Sequence, residues 1–201
     1  MKVTRLFFDG KYKVRIDIDG DYAFFLYKKE LRKLKIKEGA ELSAKAMNDI
    51  YELLLYPRCK NKALGLLQYR NRTCKELRDK LSQNGYPEII VARVMQFLID
   101  YGFLDDEAYT RSYIELKSGR KSRLQLQQEL ARKGISRELF QSIWEEQPED
   151  FEEEGLRIAM EKRMRSKGPV TKENFQKHYG YFARKGYSSG RIINMLKEYQ
   201  E

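Results

Sequence analysis

An internal repeat constrains this chain more than any other feature of its sequence. From Thr73 it reads TCKELRDKLSQNGYPEIIVARVM, and from Ser122 it reads SRLQLQQELARKGISRELFQSIW. In register, Thr73 falls on Ser122, Leu77 on Leu126, Leu81 on Leu130, Gly85 on Gly134, Tyr86 on Ile135, Ile90 on Leu139 and Val94 on Ile143. The period of about 49 residues lies at the long end of helical-repeat spacings. A looser third copy ends the chain, where Phe182, Gly186, Tyr187 and Met195 take the places of Leu81, Gly85, Tyr86 and Val94. It carries a few extra residues between Thr171 and Gly186.

Each residue type in the repeat has a physical role. Thr73 and Ser122 are N-caps, because a hydroxyl oxygen accepts from an orphan N–H of the first turn. Glu76, three residues after Thr73, completes a capping box. Leucines at i and i+4 then mark one helical face. Gly85, Gly134 and Gly186 stand where such a helix stops on a left-handed residue. A second helix follows with Ile89, Ile90, Val94 and Leu98, or with Leu139, Phe140, Ile143 and Trp144. A further helix candidate precedes each capped one, over 63–69, 107–116 and 156–164. The expected unit is therefore three helices, present three times. The implied segments are an N-terminal portion (residues 1–58) and repeats over 59–103, 104–150 and 151–201.

The N-terminal portion is the one β-like stretch. Tyr12, Val14, Ile16 and Ile18 alternate with polar residues, Asp19 and Gly20 form a two-residue hairpin signal, and Tyr22, Phe24 and Leu26 alternate on the return. Leu6 to Phe8 add a first strand. So small a sheet needs helices over its apolar face. The candidates are 28–34 and 43–55, with Pro57 ending the second.

Charge supplies the functional lead. Forty Lys and Arg against thirty Asp and Glu give a net +10, which favours a polyanionic partner, with solubility alone as the plain alternative. Basic residues cluster in the turn before each capped helix: Arg70 and Arg72, then Arg120, Lys121 and Arg123, then Arg163, Arg165 and Lys167. Arginine forks match phosphate and carboxylate oxygens. Repetition at one structural position would form a row able to follow a phosphate backbone or an acidic partner; the competing reading is a solvated face. The nearby Tyr69 and Tyr113 read first as core or edge residues.

Catalytic patterns are lacking. His178 is the sole histidine and has no titratable partner at a recognisable spacing, so it reads as a surface or packing residue. No phosphate loop or dinucleotide fingerprint occurs. Asp105 and Asp106 are the one acidic pair that a metal-dependent nuclease could use, but beside a glycine turn they read as a helix cap. Cys59 and Cys74 match neither a zinc site nor a disulfide framework, and reduced thiols are expected. Neither a signal segment nor a membrane-spanning run occurs, so a cytoplasmic monomer without cofactor, metal or membrane is expected.

Several segments resemble the RecX family, regulators of the bacterial recombinase RecA. RNRTCKEL from Arg70, with Leu81, is similar to that family's R-x-R-S-x-x-E-L-x-x-x-L opening. LIDYGFLDDEAY from Leu98 resembles its L-x-x-x-G-Y-L-N/D-D-x-x-F/Y segment, and LQQELARKGI from Leu126 its I-x-x-E-L-x-x-K-G-I segment. IDGDYA from Ile18 is similar to the N-terminal extension of members from low-GC Gram-positive bacteria. One departure lies before the second capped helix, where the family's R-x-K-G-x-x-x-I is replaced and the glycine stands earlier, at Gly119. The resemblance implies an elongated, curved, mainly α array of three-helix repeats with a small antiparallel β-hairpin and helix extension. It implies a non-enzyme that binds in the groove of the RecA–single-stranded DNA filament. There it would inhibit filament growth, ATPase, strand exchange and co-protease activity in DNA repair, recombination and the SOS response. A general single- or double-stranded nucleic-acid-binding repeat protein is the alternative.

Overall fold

The computed structural model describes residues 1–200 and is mainly helical, with a small N-terminal sheet. The chain divides into two compact units, Met1–Leu104 and Asp105–Glu201.

The first unit begins with an antiparallel sheet, β1 (Val3–Asp9), β2 (Lys13–Ile18) and β3 (Asp21–Tyr27), ordered β1-β2-β3. Asp19 and Gly20 both take positive φ, +52° and +99°, as a type I′ hairpin turn requires. Val14, Ile16, Phe24 and Leu26 share one fully buried face. The strict alternation read from the sequence fails at Tyr22. Ile16 pairs with Phe24 but Asp17 pairs with Tyr22, so Ala23 is the extra residue of a β-bulge. A one-residue slip moves a side chain to the opposite face. Tyr22 therefore leaves the face of Phe24 and joins Arg15 and Phe25 on the other; the Arg15 guanidinium lies 4.5 Å from the Tyr22 ring centre.

Two short helices follow, α1 (Lys28–Lys33) and α2 (Ala44–Ile50), the latter capped by Ser43. The helix expected to stop at Pro57 does not stop. A π-helical turn, Tyr51–Leu55, joins α2 directly to α3 (Tyr56–Tyr69). Here the Tyr56 N–H reaches the Tyr51 carbonyl, an i→i+5 bond. A proline inside a helix lacks a donor and pushes against the carbonyl four residues back. The widened turn accommodates both faults, and Pro57 becomes an early residue of α3. The helices α4 (Cys74–Gln83) and α5 (Glu88–Asp100) complete the unit. One continuous core runs from Val14, Ile16 and Phe24 of the sheet through Leu55 and Cys59 to Leu77, Ile90 and Leu98.

The second unit contains α6 (Asp106–Lys117), a 3-10 turn (Ser118–Arg120), α7 (Arg123–Arg132), α8 (Arg137–Glu145), α9 (Phe151–Lys167), α10 (Phe175–Arg184) and α11 (Ser189–Glu198). It holds two separate cores. One gathers Ile114, Leu126, Leu130, Phe140 and Ile143, and the other Leu156, Met160, Phe182, Ile192 and Leu196. Among the described residues no helix is long and apolar enough to cross a membrane.

The repeat appears as local geometry. Thr73 and Ser122 are fully buried and accept from the N–H of Glu76 and Gln125, at 3.2 and 3.3 Å. Both boxes close: the Glu76 and Gln125 side chains accept in turn from the Thr73 and Ser122 N–H. Helices α4, α7 and α10 end in the same Schellman turn. Gly85, Gly134 and Gly186 sit at φ +86°, +91° and +87°. The next N–H, of Tyr86, Ile135 or Tyr187, reaches back to Leu81, Leu130 or Phe182. The third copy lacks the hydroxyl cap. Asn174, in helical conformation, precedes α10, and its side chain accepts instead from the Thr171 N–H at 2.9 Å.

Candidate nucleic-acid and filament interface

The eight basic residues singled out in the sequence occupy unlike environments. Arg70 is the exposed C-cap of α3. Arg72 is half-buried, its Nε 3.5 Å from the Leu66 carbonyl. Arg120 closes the 3-10 turn and is exposed. Lys121 forms an ion pair with Glu129. This contact, with a bond from the Tyr113 hydroxyl, holds the Glu129 carboxyl below its usual range despite partial burial. Lys121 is thus neutralised within the chain. Arg123 opens α7, stands 5.4 Å from the Trp144 ring centre and donates to Gln141 at 2.9 Å.

The third cluster is placed differently from expectation. Arg163, Arg165 and Lys167 lie in the last turns of α9, because that helix runs unbroken to Lys167 and stops only at Gly168, φ +86°, ahead of Pro169. Acids in its first turn (Glu152, Glu153, Glu154) and bases in its last suit the helix dipole over this longer span. The Arg163 guanidinium lies over the Tyr181 ring, 3.8 Å from its centre. Arg120 and Arg163 are then brought together with two lysines that sequence reasoning passed over, Lys162 and Lys185. Lys185 carried one usable signal: it is the residue before the Schellman glycine, as Lys133 is in the second copy.

The aromatic residues divide. Tyr113 is half-buried and donates to Glu129 at 2.7 Å. Tyr69 departs from its expected core or edge position: it is 84% exposed beside Arg70, because it is the last residue of α3 and the chain turns away there. Asp105 is a cap, its Oδ1 accepting from the Glu107 and Ala108 N–H at 2.8 and 2.9 Å. His178 is buried, and desolvation, then Arg163, push its pKa down. Cys59 and Cys74 are not joined in a disulfide, and burial pushes Cys59 up to about 12.

Comparison with known proteins places this framework. Residues 59–98 match the family model "RecX, first three-helix domain", and residues 105–142 match "RecX, second three-helix domain". In both segments the chain is similar to RecX. It is 27% identical to the regulatory protein RecX of Clostridium beijerinckii, over 98% of this chain and 95% of that one. It is 29% identical to that of Clostridium tetani, over 82% and 77% respectively. Two RecX crystal structures share the fold at 24% identity. One, titled as that of regulatory protein RecX, has a TM-score of 0.63 with 98% of both chains covered. The other, from Lactobacillus salivarius, has a TM-score of 0.62 over 71% of this chain and 95% of its own. The two matched segments contain the capping boxes and Schellman turns of the first two copies of the repeat.

Proposed function

We propose that this chain is a cytoplasmic regulator that binds the RecA–single-stranded DNA filament and restrains its recombinase, ATPase and co-protease activities by binding alone. The observation that carries the reading is the match to the RecX domain models of the two segments bearing Arg70, Arg72, Arg120 and Arg123. The net charge of +10 supports it, since a filament of nucleic acid and protein offers many anionic positions. Contacts spread over many weak cationic points give salt-dependent affinity.

The test is the DNA-dependent ATPase of RecA on single-stranded DNA, with substoichiometric amounts of this chain, at two salt concentrations. Inhibition well below one chain per RecA identifies an agent acting on the polymer. Replacing Arg70, Arg72, Arg120 and Arg123 together by Ala is expected to leave helical content intact and weaken filament binding by about 1–3 kcal/mol. Unchanged affinity would reduce the row to a solvated face. The exposed Tyr69 beside Arg70 favours a second reading, direct single-stranded nucleic-acid binding, because an exposed ring is what base stacking needs. Oligonucleotide binding with no effect on RecA would select it.

A further inference from the structure

Several cations of the second unit are matched to acids. Arg111 pairs with Glu107 and Glu146, Lys121 with Glu129, Arg157 with Glu153, Glu154 and Glu198, and Arg191 with Glu152. A recess of about 260 Å³ between the 3-10 turn, α9 and the end of α10 is different in that it gathers several unmatched cations. Arg120, Lys162, Arg163 and Lys185 line it together with Ser166 and Tyr181, and no carboxylate does. Among the described residues none of these four cations is in an ion pair. Like charges gathered at one recess repel, and an anion among them relieves that repulsion.

The recess is built by the fold. Arg163 lies over the Tyr181 ring, with its Nη2 at a long 3.5 Å from the Lys177 carbonyl and its Nε buried without an acceptor. Lys185 Nζ stands 5.0 Å from the same ring centre and donates to the Arg120 carbonyl at 3.2 Å, which fixes the ammonium beside the 3-10 turn. The turn itself can lie against α9 because of two glycines. A methyl group at Gly155 would come 2.9 Å from the Ser118 carbonyl oxygen, and one at Gly119 would come 3.1 Å from Ile158.

We infer that this recess is a phosphate-binding site. A phosphate offers several oxygens to a guanidinium fork and to lysine ammonium groups, and it needs no aromatic platform. The Tyr181 ring already carries Arg163, so a base is not what the recess recognises. The ligand chemistry is a phosphate group, supplied either by the backbone diesters of a nucleic acid or by free phosphate. The inference deepens the reading above only in giving Arg120 and Arg163 a ligand; binding here needs no RecA.

The test is amide and arginine side-chain NMR of the full chain without RecA, titrated with inorganic phosphate and, separately, with an oligothymidylate lacking terminal phosphates. Saturable shifts at Gly119, Lys185 and the Arg163 side chain are expected. Shifts with the oligonucleotide assign the site to backbone diesters, and shifts with inorganic phosphate alone assign it to free phosphate. Lys162→Glu, at an exposed position without an acidic partner, should weaken the binding at least tenfold with unchanged circular dichroism, and Lys185→Met should do the same. Absence of shifts with both ligands, or equal affinity in a folded Lys162→Glu chain, overturns the site. The RecA ATPase run in parallel separates the two ideas. Regulation without phosphate shifts removes the recess alone, and phosphate shifts without regulation remove the filament reading alone.

Discussion

The two units solve one problem by different means. In the first, sheet and helices share a single apolar core, and the Schellman end of α4 docks on the sheet: Tyr22 Oη donates to the Gly85 carbonyl and Lys13 Nζ to the Asn84 carbonyl, 2.8 Å for the latter. In the second there are two cores, and polar contacts help to join them. The Schellman end of α10 docks on the N-terminus of α7, where Ser122 Oγ donates to the Lys185 carbonyl while capping its own helix. The same helix ending exports a corresponding carbonyl, that of Asn84 to the sheet in one unit and that of Lys185 to a helix cap in the other. Burial of apolar area is undirected and tolerant, whereas a bridge of hydrogen bonds and close backbone approach depends on a few atoms. The second unit should therefore be the more sensitive to small substitutions.

The largest expected effects test the docked turns. Gly85→Val and Gly186→Val combine a left-handed conformation that disfavours a β-branch with a collision. The added carbon meets Tyr22 Oη at 2.9 Å in one case and Leu124 Cδ2 at 2.8 Å in the other. Each should cost about 2–3 kcal/mol in urea unfolding. Gly102→Val has φ +69° but nothing within 4 Å, so it should cost only the conformational part. Equal losses at all three would show that docking contributes nothing. Gly134→Val, at φ +91°, should cost at least about 1 kcal/mol.

Next in size are the hydroxyls that receive those turns. Ser122→Ala removes a cap and the bridge to Lys185 together and should cost about 1–2 kcal/mol. Tyr22→Phe removes one hydrogen bond and should cost about 0.5–1.5 kcal/mol. The reverse order would mean that the sheet, not the helix cap, is the more dependent receiver.

Two helical glycines give a change of sign. Gly65→Ala, in open space on α3, should stabilise by about 0.5–1 kcal/mol, because alanine restricts the unfolded chain and favours the helix. Gly155→Ala should destabilise despite the same intrinsic gain, since the Ser118 backbone has to move. Thermal melting of both variants decides it, and stabilisation by Gly155→Ala would show that the 3-10 turn does not rest on α9.

The smallest effect is on pH dependence. The pKa of Glu129 is lowered in the folded state, so its contribution is complete above the ordinary glutamate range. It is lost as pH falls through that range towards the lowered folded value. Glu129→Gln should remove that part of the acid dependence, a few tenths to about 1 kcal/mol for so accessible a pair. An unchanged stability profile from neutral to acid pH would show that the Lys121 contact is not formed in solution.

What could be read in the sequence follows from the range of the interactions. The Schellman glycines and the Thr73 box are signals confined to one helix end, and both were legible; the companion box at Ser122 needed Gln125 to be seen as a glutamate substitute. The Ala23 bulge was not legible, because one extra residue leaves the surrounding apolar residues almost regular. Pro57 misled because the rule that proline ends a helix assumes an α-helical register, and the π-helical turn changes the register first. Lys162 and Lys185 could not join Arg120 and Arg163 on paper. Their convergence depends on the 3-10 turn resting against α9, a tertiary contact permitted by Gly119 and Gly155.

The π-helical turn bears on how this chain can be divided. The RecX domain match begins at residue 59, yet no helix begins there: α2, the turn and α3 form one unbroken rod from Ala44 to Tyr69. A chain cut at 59 would start part-way along a helix, without Leu55 and with the Cys59 and Ala63 surroundings opened to water. The N-terminal sheet is therefore not a detachable module in the thermodynamic sense. It is expected to melt together with the first three-helix segment, and a transplant of that segment between relatives would have to carry the rod with it.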